Sequence, residues 1–298
     1  MKGYSYYPCV EFAITVPYMR ILVVSDLHGN WPALAAIREP FDLCLCLGDL
    51  VDYGPFPREC VRWAMEHAEY SIRGNHDHGV AQGVQVSGES GYRYLTKVTR
   101  PLSWSALDGP ERRFLLQLPL TRRLTIEGRR ILLVHGTPRD PLDEYVLDDP
   151  QLWKRRLEGS DADLVLVGHT HMQFALNLDG VHLINPGSVG QARDGDPRAA
   201  YAMIDFRTYK IELRRIDYPV EDTIAAIRAA DLPERAKQLA EHSLRFGRLP
   251  SGAARSGIDL EPVAPSHGAH PEVVELSPKP LSEPSQGEVE PQPNESVA

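Results

Sequence analysis

The chain has no unbroken apolar run of roughly 18 or more residues, so hydropathy does not support a transmembrane helix. Cysteine is scarce. Cys9, Cys44, Cys46 and Cys60 match neither a CxxC metal knuckle nor a regular disulfide framework, and a reducing cytoplasm suits them better than a secreted, stapled fold. Cys44 and Cys46 alternate with Leu43, Leu45 and Leu47, as small hydrophobes in a buried strand do. Basic residues are outnumbered, 32 Lys and Arg against 41 Asp and Glu, for a net charge of -9. The segment from Pro250 to Ala298 accounts for most of it, with eight acidic residues against Arg255 and Lys279. The body is left near -3 and lacks the clustered cations that a nucleic-acid backbone demands, so neither nucleic acid nor a membrane is expected as a partner. A signal peptide is not expected either, because Glu11 and Pro17 interrupt the residues after Lys2 before an apolar stretch forms. Met19, followed by Arg20 and the apolar run Ile21 to Val24, reads as an alternative start of translation.

What is present is an ordinary globular balance, 42% hydrophobic and 24% charged over 298 residues, enough for a sizeable core. Short apolar runs predict buried strands at Ile21 to Val24, Leu43 to Leu47, Tyr70 to Arg73, Ile131 to Val134 and Leu164 to Val167. Helical patterns separate the first three, Trp31 to Arg38 with Asn30 as N-cap and Pro32 in its first turn, then Pro57 to Ala68. The order βαβαβ predicts a parallel sheet flanked by helices. After His78 the pattern loosens, with helical segments around Tyr92 to Val98 and Glu111 to Gln117, and reads as an insertion or cap over about 79–118. Further strands are predicted at Arg123 to Glu127, Phe174 to Leu178, Val181 to Ile184, Ala200 to Phe206 and Lys210 to Ile216, several joined by hairpin turns such as Asp179 and Gly180. They predict a second sheet with antiparallel pairing, hence an α/β fold: a two-sheet β-sandwich flanked by helices. Residues 20–217 form the expected main domain, after an N-terminal extension over 1–19. Amphipathic helices follow within 218–249, and a Pro, Ser and Glu-rich tail over 250–298 is expected to be disordered.

Polar residues that could bind metal stand just beyond five of these strands. Asp26 and His28 follow the first; an extended backbone would put i and i+2 on one face. Asp49 and Asp52 follow the second, Asn75, His76 and Asp77 the third, His135 the fourth, and His169 and His171 the fifth. Open α/β sheets bind ligands at the carboxyl ends of their strands. Each block alone would more often be a surface turn or a capped loop. Five blocks in order, each flanked by small residues, point to one shared centre. With imidazole, carboxylate and amide donors and no thiolate, such a centre suits Mn, Fe, Co, Ni or Zn better than calcium.

The ordered set DxH, GDxxD, GNHD, HG and GHTH resembles the calcineurin-like metallophosphoesterase superfamily, over roughly Arg20 to Phe206. The resemblance implies a four-layer α/β/β/α fold, two divalent metal ions with Mn expected, and hydrolysis of phosphodiesters or phosphomonoesters of modest size by a hydroxide activated between the metals. Asp26, His28 and His171 match ligands of one metal, and Asn75, His135 and His169 those of the other. Asp49 matches the bridging carboxylate. Two divalent ions against two carboxylates leave a positive pocket that attracts phosphate and acidifies water. His76 matches the histidine that protonates the leaving oxygen or binds phosphate, with Asp52 orienting its ring. The block from Asn185 to Arg193, NPGSVGQAR, resembles a turn of the small bacterial phosphodiesterase-like branch, so Arg193 is a candidate for binding substrate, as are Arg139 and Arg73. One departure stands out: where protein phosphatases and diadenosine tetraphosphatases of the superfamily carry Arg after GDxxD, this chain has Tyr53. Those two activities are the alternatives, and a non-catalytic scaffold or a nuclease on the same fold are further ones.

Overall fold

The computed structural model describes residues 13–14, 19–253 and 273–276. The first half is built from β1 (Ala13–Ile14), β2 (Arg20–Val24), α1 (Trp31–Ala36), β3 (Leu43–Cys46), α2 (Pro57–His67), β4 (Tyr70–Ser71), α3 (Asn75–Ala81), α4 (Gly91–Ala106) and α5 (Gly109–Gln117). The second half adds β5 (Thr121–Ile126), β6 (Arg129–Val134), α6 (Pro150–Leu157), β7 (Leu164–Leu166), β8 (Gln173–Leu178), β9 (Val181–Pro186), β10 (Ala199–Asp205) and β11 (Lys210–Ile216). After these come α7 (Val220–Ala229), α8 (Glu234–Phe246) and β12 (Val273–Glu275).

Two six-stranded sheets form, in the orders β12-β11-β10-β2-β3-β4 and β1-β5-β6-β7-β9-β8. The initial βαβαβ unit is parallel, as the order of elements predicts. The alternation within each strand explains the layers. Ile21, Val23, Leu45 and Leu47 point between the sheets, where they meet Leu124, Ile131, Leu133, Leu164 and Leu166. Leu22, Val24, Cys44 and Cys46 point the other way, onto Leu34, Cys60 and Val61 of α1 and α2. On the opposite outer face, Leu132, Val134, Val165 and Val167 pack against Trp153 and Leu157 of α6. The result is the expected two-sheet sandwich with helices outside, each fully buried Val, Leu or Ile of the core worth roughly 1.5–3 kcal/mol.

Several details differ from the sequence reading. β10 and β11 do not extend the second sheet; β10 returns to the first and pairs antiparallel with β2, Met203 opposite Leu22. The second sheet is mixed: β6, β7 and β9 run parallel and β1 runs parallel to β5, while β5 pairs antiparallel with β6 and β8 with β9. Helix α6 was not anticipated, although Asp149 caps the amides of Gln151 and Leu152 ahead of Pro150 in the first turn. Within the tail expected to be disordered, Val273–Glu275 pair antiparallel with β11, because Val274 and Leu276 alternate inward onto the core. The remaining tail and most of the N-terminal extension, including Cys9, lie outside the described residues. Among the described residues no helix is long and apolar enough to cross a membrane.

Candidate metal centre

The loops after β2, β3, β4, β6 and β7 meet at one end of the sandwich and are stitched to one another. Asp26 and His28 donate their amides to the carbonyls of Gly48 and Asp49, and the Gly168 amide donates to the His135 carbonyl. Close approach requires small residues. A Cβ on Gly168 would lie 2.1 Å from Ser25 Oγ, so the loops of the two sheets can touch only because that position is glycine. The extended backbone expected between Asp26 and His28 is not what places them. Both are left-handed, with φ of 54° and 45°, and so are His169 (66°) and His171 (59°), Asp49 (57°), Asp52 (65°) and Tyr53 (60°). Seven of the ten described non-glycine residues with positive φ therefore stand in this one place, which is where strained backbone characteristically collects when it aims functional groups.

The aimed side chains converge. Donor atoms of Asp26, His28 and His171 lie within 4.8 Å of one another, as do those of Asp49, His135 and His169, and those of His28, Asp49 and His76. Asn75 joins the second group, its Oδ1 3.3 Å from His135 Nε2. Asp49 lies between the groups, with Oδ2 3.2 Å from His135 Nε2 and 3.7 Å from His28 Nε2. Asp26, His28, Asp49, His135 and His171 are all fully or almost fully buried.

Hydrogen bonding on the far side of the rings fixes what faces inward. The Nδ1 atoms of His28 and His135 each lie 2.8 Å from a main-chain carbonyl, of Val51 and Leu47, and His171 Nδ1 bonds the Gln191 carbonyl. A nitrogen that donates to a carbonyl carries the ring proton, so in the neutral rings Nε2 presents a lone pair. His28 Nε2 and His171 Nε2 are nevertheless only 3.1 Å apart. Asp26 Oδ1 and Asp49 Oδ2 are buried without a hydrogen-bond partner in the same space. Acceptors facing acceptors in a buried site call for a cation, and the donor set of nitrogen and oxygen fits divalent metal ions.

The titration of the cluster has the same cause. Burial opposes charge on Asp26 and on Asp49, yet the surrounding histidines hold both carboxylates below their ordinary range. Burial also opposes charge on His135, but Asp49 outweighs it and pushes the ring up to about 10. Burial pushes His169 down to about 3 and holds His171 well below the usual histidine value. Asp77 lies behind the site, accepting the amides of Asp49 and Leu50 at 2.8 Å and of Gly74 at 3.0 Å; burial first, then Asp49, push it up to about 7.

His76 borders both groups, with Nε2 4.0 Å from Asp49 Oδ2 and Nδ1 2.8 Å from Asp52 Oδ2. Arg193 reaches the same place from the loop after β9. Its guanidinium lies 4.0 Å from the Tyr92 ring centroid, Nη2 donates to the Tyr53 hydroxyl at 3.3 Å, and Nε is buried without a partner. The other two candidate arginines do not join the cluster. Arg73 donates to the Leu116 carbonyl at the end of α5, and Arg139 is exposed, its charge acting on Glu144. The sequence reading overlooked Arg100, whose Nε and Nη2 bond Asp52 Oδ2 at 3.0 and 2.5 Å. A signal was present: the buried face of α4 carries Thr96, Thr99, Arg100 and Ser103, where a purely structural helix would carry aliphatics.

A family model for the calcineurin-like phosphoesterase superfamily domain matches residues 19–209. The chain belongs to that superfamily. A solved superfamily structure, a metallophosphoesterase from Sphaerobacter thermophilus, is 32% identical with a TM-score of 0.65, over 77% of this chain and 99% of that one. An uncharacterised protein of Methanocaldococcus jannaschii is 32% identical, the match covering 72% of this chain and 94% of the relative. The phosphodiesterase YfcE of Escherichia coli is 25% identical over 63% of this chain and 88% of its own. Membership implies metal-dependent hydrolysis of phosphate esters, and the clusters of Asp and His are groups that could bind the metal.

Proposed function

We propose that this superfamily member is a dinuclear metal-dependent hydrolase of phosphodiesters or phosphomonoesters of modest size. The observation that carries the proposal is the contact of His28 Nε2 with His171 Nε2 at 3.1 Å beside the unpartnered Asp26 Oδ1, a buried point where lone pairs face one another. Asp26, His28 and His171 would hold one ion, and Asn75, His135 and His169 the other. Asp49, lying between the groups, would serve both. Manganese is the expected metal. When bound, such a pair supplies Lewis acidity toward the phosphate and acidifies water held there.

The chain's own side chains supply the rest. Hydrolysis adds water across the P–O bond, and the departing oxygen needs a proton. Asp52 keeps Nδ1 of His76 occupied, so a protonated ring presents Nε2–H to the centre, hands that proton to the leaving oxygen and is left neutral. Arg193, with a buried unpartnered Nε, would take a non-bridging phosphate oxygen. Tyr53 stands where protein phosphatases and diadenosine tetraphosphatases of the superfamily carry Arg, and this favours the phosphodiesterase reading, in line with the name of the Escherichia coli relative.

The test is hydrolysis of bis-p-nitrophenyl phosphate by manganese-loaded protein. Steady turnover is expected, abolished by Asp49→Asn or His76→Ala, with nearly two metal ions per chain on elemental analysis. Absence of turnover with every divalent metal tried would overturn the proposal.

A further inference from the structure

We infer that Arg100 is a positioning residue for hydrolysis: it fixes Asp52, and through Asp52 the His76 ring, in the orientation that delivers a proton to the leaving oxygen. The inference rests on the reading of His76 given above. Its support is a side-chain arrangement that the metal centre itself does not need.

Arg100 is 4% exposed and lies in the middle of α4. Its Nε and Nη2 both bond Asp52 Oδ2, the oxygen that also lies 2.8 Å from His76 Nδ1, and Asp52 Oδ1 is buried without a partner. A carboxylate can rotate and present either oxygen. Here two N–H groups of a planar fork choose one, and the imidazole follows that choice. The fork is itself held in place. Nη1 donates to the Val84 carbonyl at 3.0 Å, and a Cβ on Gly79 would come within 2.2 Å of Nη1 and 2.6 Å of Cζ, so the guanidinium packs against the bare backbone of α3.

The turn that carries Asp52 needs such support. Asp52 and Tyr53 are consecutive non-glycine residues with φ of 65° and 60°. The same face of α4 grips both of them: Ser103 Oγ accepts the Asp52 amide at 3.1 Å and Thr99 Oγ1 accepts the Tyr53 amide at 3.0 Å. Thr96 Oγ1 lies 3.1 Å from the Tyr53 hydroxyl. Helix α4 lies within the segment expected to be a cap; its buried face buttresses the turn that orients the proton donor.

The test compares manganese-loaded full-length wild type, Arg100→Met, Arg100→Lys, Gly79→Ala and His76→Ala on aryl phosphodiesters with leaving phenols of rising pKa. Gly79→Ala removes no functional group and crowds the guanidinium, whose atoms are the three nearest to the added Cβ, so it decides the matter if Arg100→Met does not fold. Expected for both Arg100→Met and Gly79→Ala are unchanged metal content and KM, and a loss of kcat that steepens with the leaving group. A fall of about 10-fold for p-nitrophenyl and about 100-fold or more for phenyl esters is the scale of a general acid. Arg100→Lys, which keeps a cation but not the fork, should recover part of the loss. A uniform loss across the series, no loss, or loss of metal in these variants would overturn the role of Arg100 even if His76→Ala shows the steep dependence. A flat series in His76→Ala itself would remove the underlying reading, and this inference with it.

Discussion

Gly74 precedes Asn75, a proposed metal ligand, and its φ of -85° is open to any amino acid, so the only obstacle to a side chain there is space. A Cβ at this position would lie 2.0 Å from Asp49 Oδ1, 2.5 Å from the Asp49 amide nitrogen and 2.6 Å from its Cγ. Relief requires a displacement of about 1 Å, and neither partner is free to move. The Asp49 amide is tied to Asp77 Oδ2 at 2.8 Å, and Oδ1 accepts the His76 amide at 2.8 Å. Overpacking of this kind costs about 1–3 kcal/mol, a fall in Tm of about 3–10 °C for a chain of this size. The effect on chemistry should be larger, since a misplacement of about 1 Å at reacting groups costs on the order of 100-fold in rate. Gly74→Ala is therefore expected to fold, to melt earlier, and to lose about two orders of magnitude in kcat at saturating manganese. Gly109→Ala is the control, because its Cβ would meet only the mobile end of Arg113, at 3.1 Å. Wild-type kcat with full metal content in Gly74→Ala would refute the placement of Asp49 and the reasoning built on it.

Chelation of the metal should lower Tm by about 5–10 °C, the equivalent of roughly 2.7 kcal/mol if the metal is present at about 100 times its Kd, and readdition should restore it; a scan unaffected by chelator would contradict the metal centre. Cys44, Cys46 and Cys60 are buried, and burial pushes all three thiols up, Cys46 to about 12, so at pH 8 they should react with a thiol reagent only on unfolding. Fast modification of more than the one remaining cysteine in the native protein would show that the β3 layer is not closed. Burial opposes charge on Glu39, yet the Tyr201 hydroxyl and Arg214 hold its carboxyl below the usual range. A depressed pKa contributes stability above the unfolded value of about 4.5 and loses it as pH falls through the folded value. Glu39→Gln should accordingly destabilise at pH 7 and approach wild type in acid denaturation near pH 3; a constant difference across that range would rule out the ion pair as the cause.

How much of this was legible in the sequence depended on how local the signal is. The parallel strands were legible because buried runs such as Leu43 to Leu47 are short and bounded, and the residues gathered at the centre stand directly beyond them. The sheet to which β10 belongs was not, since pairing with β2 is decided about 180 residues away and leaves no local period. Conformation at the site is not legible for a related reason. The spacing of Asp26 and His28 suggests a strand, whereas the structure places both in the left-handed region, a strain that only the contacts of neighbouring loops sustain. Arg73 and Arg139 looked equivalent to Arg193 in sequence. Only Arg193 is carried inward, by the turn at Gly187 and Gly190, whose tight approaches to Gln173 and Leu27 no composition could reveal. Arg100 illustrates the converse, a site residue with no motif around it, recognisable once its helix was seen to bury polar side chains.

The two outermost strands on one side of each sheet come from the extremities of the described chain. β1 lies along β5, and β12 lies along β11. An uncovered strand offers a row of free amides and carbonyls on which another copy of the protein can grow by strand addition. A version trimmed to residues 19–253 would keep every group of the metal centre while baring both rims, so its failure mode would be self-association at high concentration, with full turnover in dilute solution.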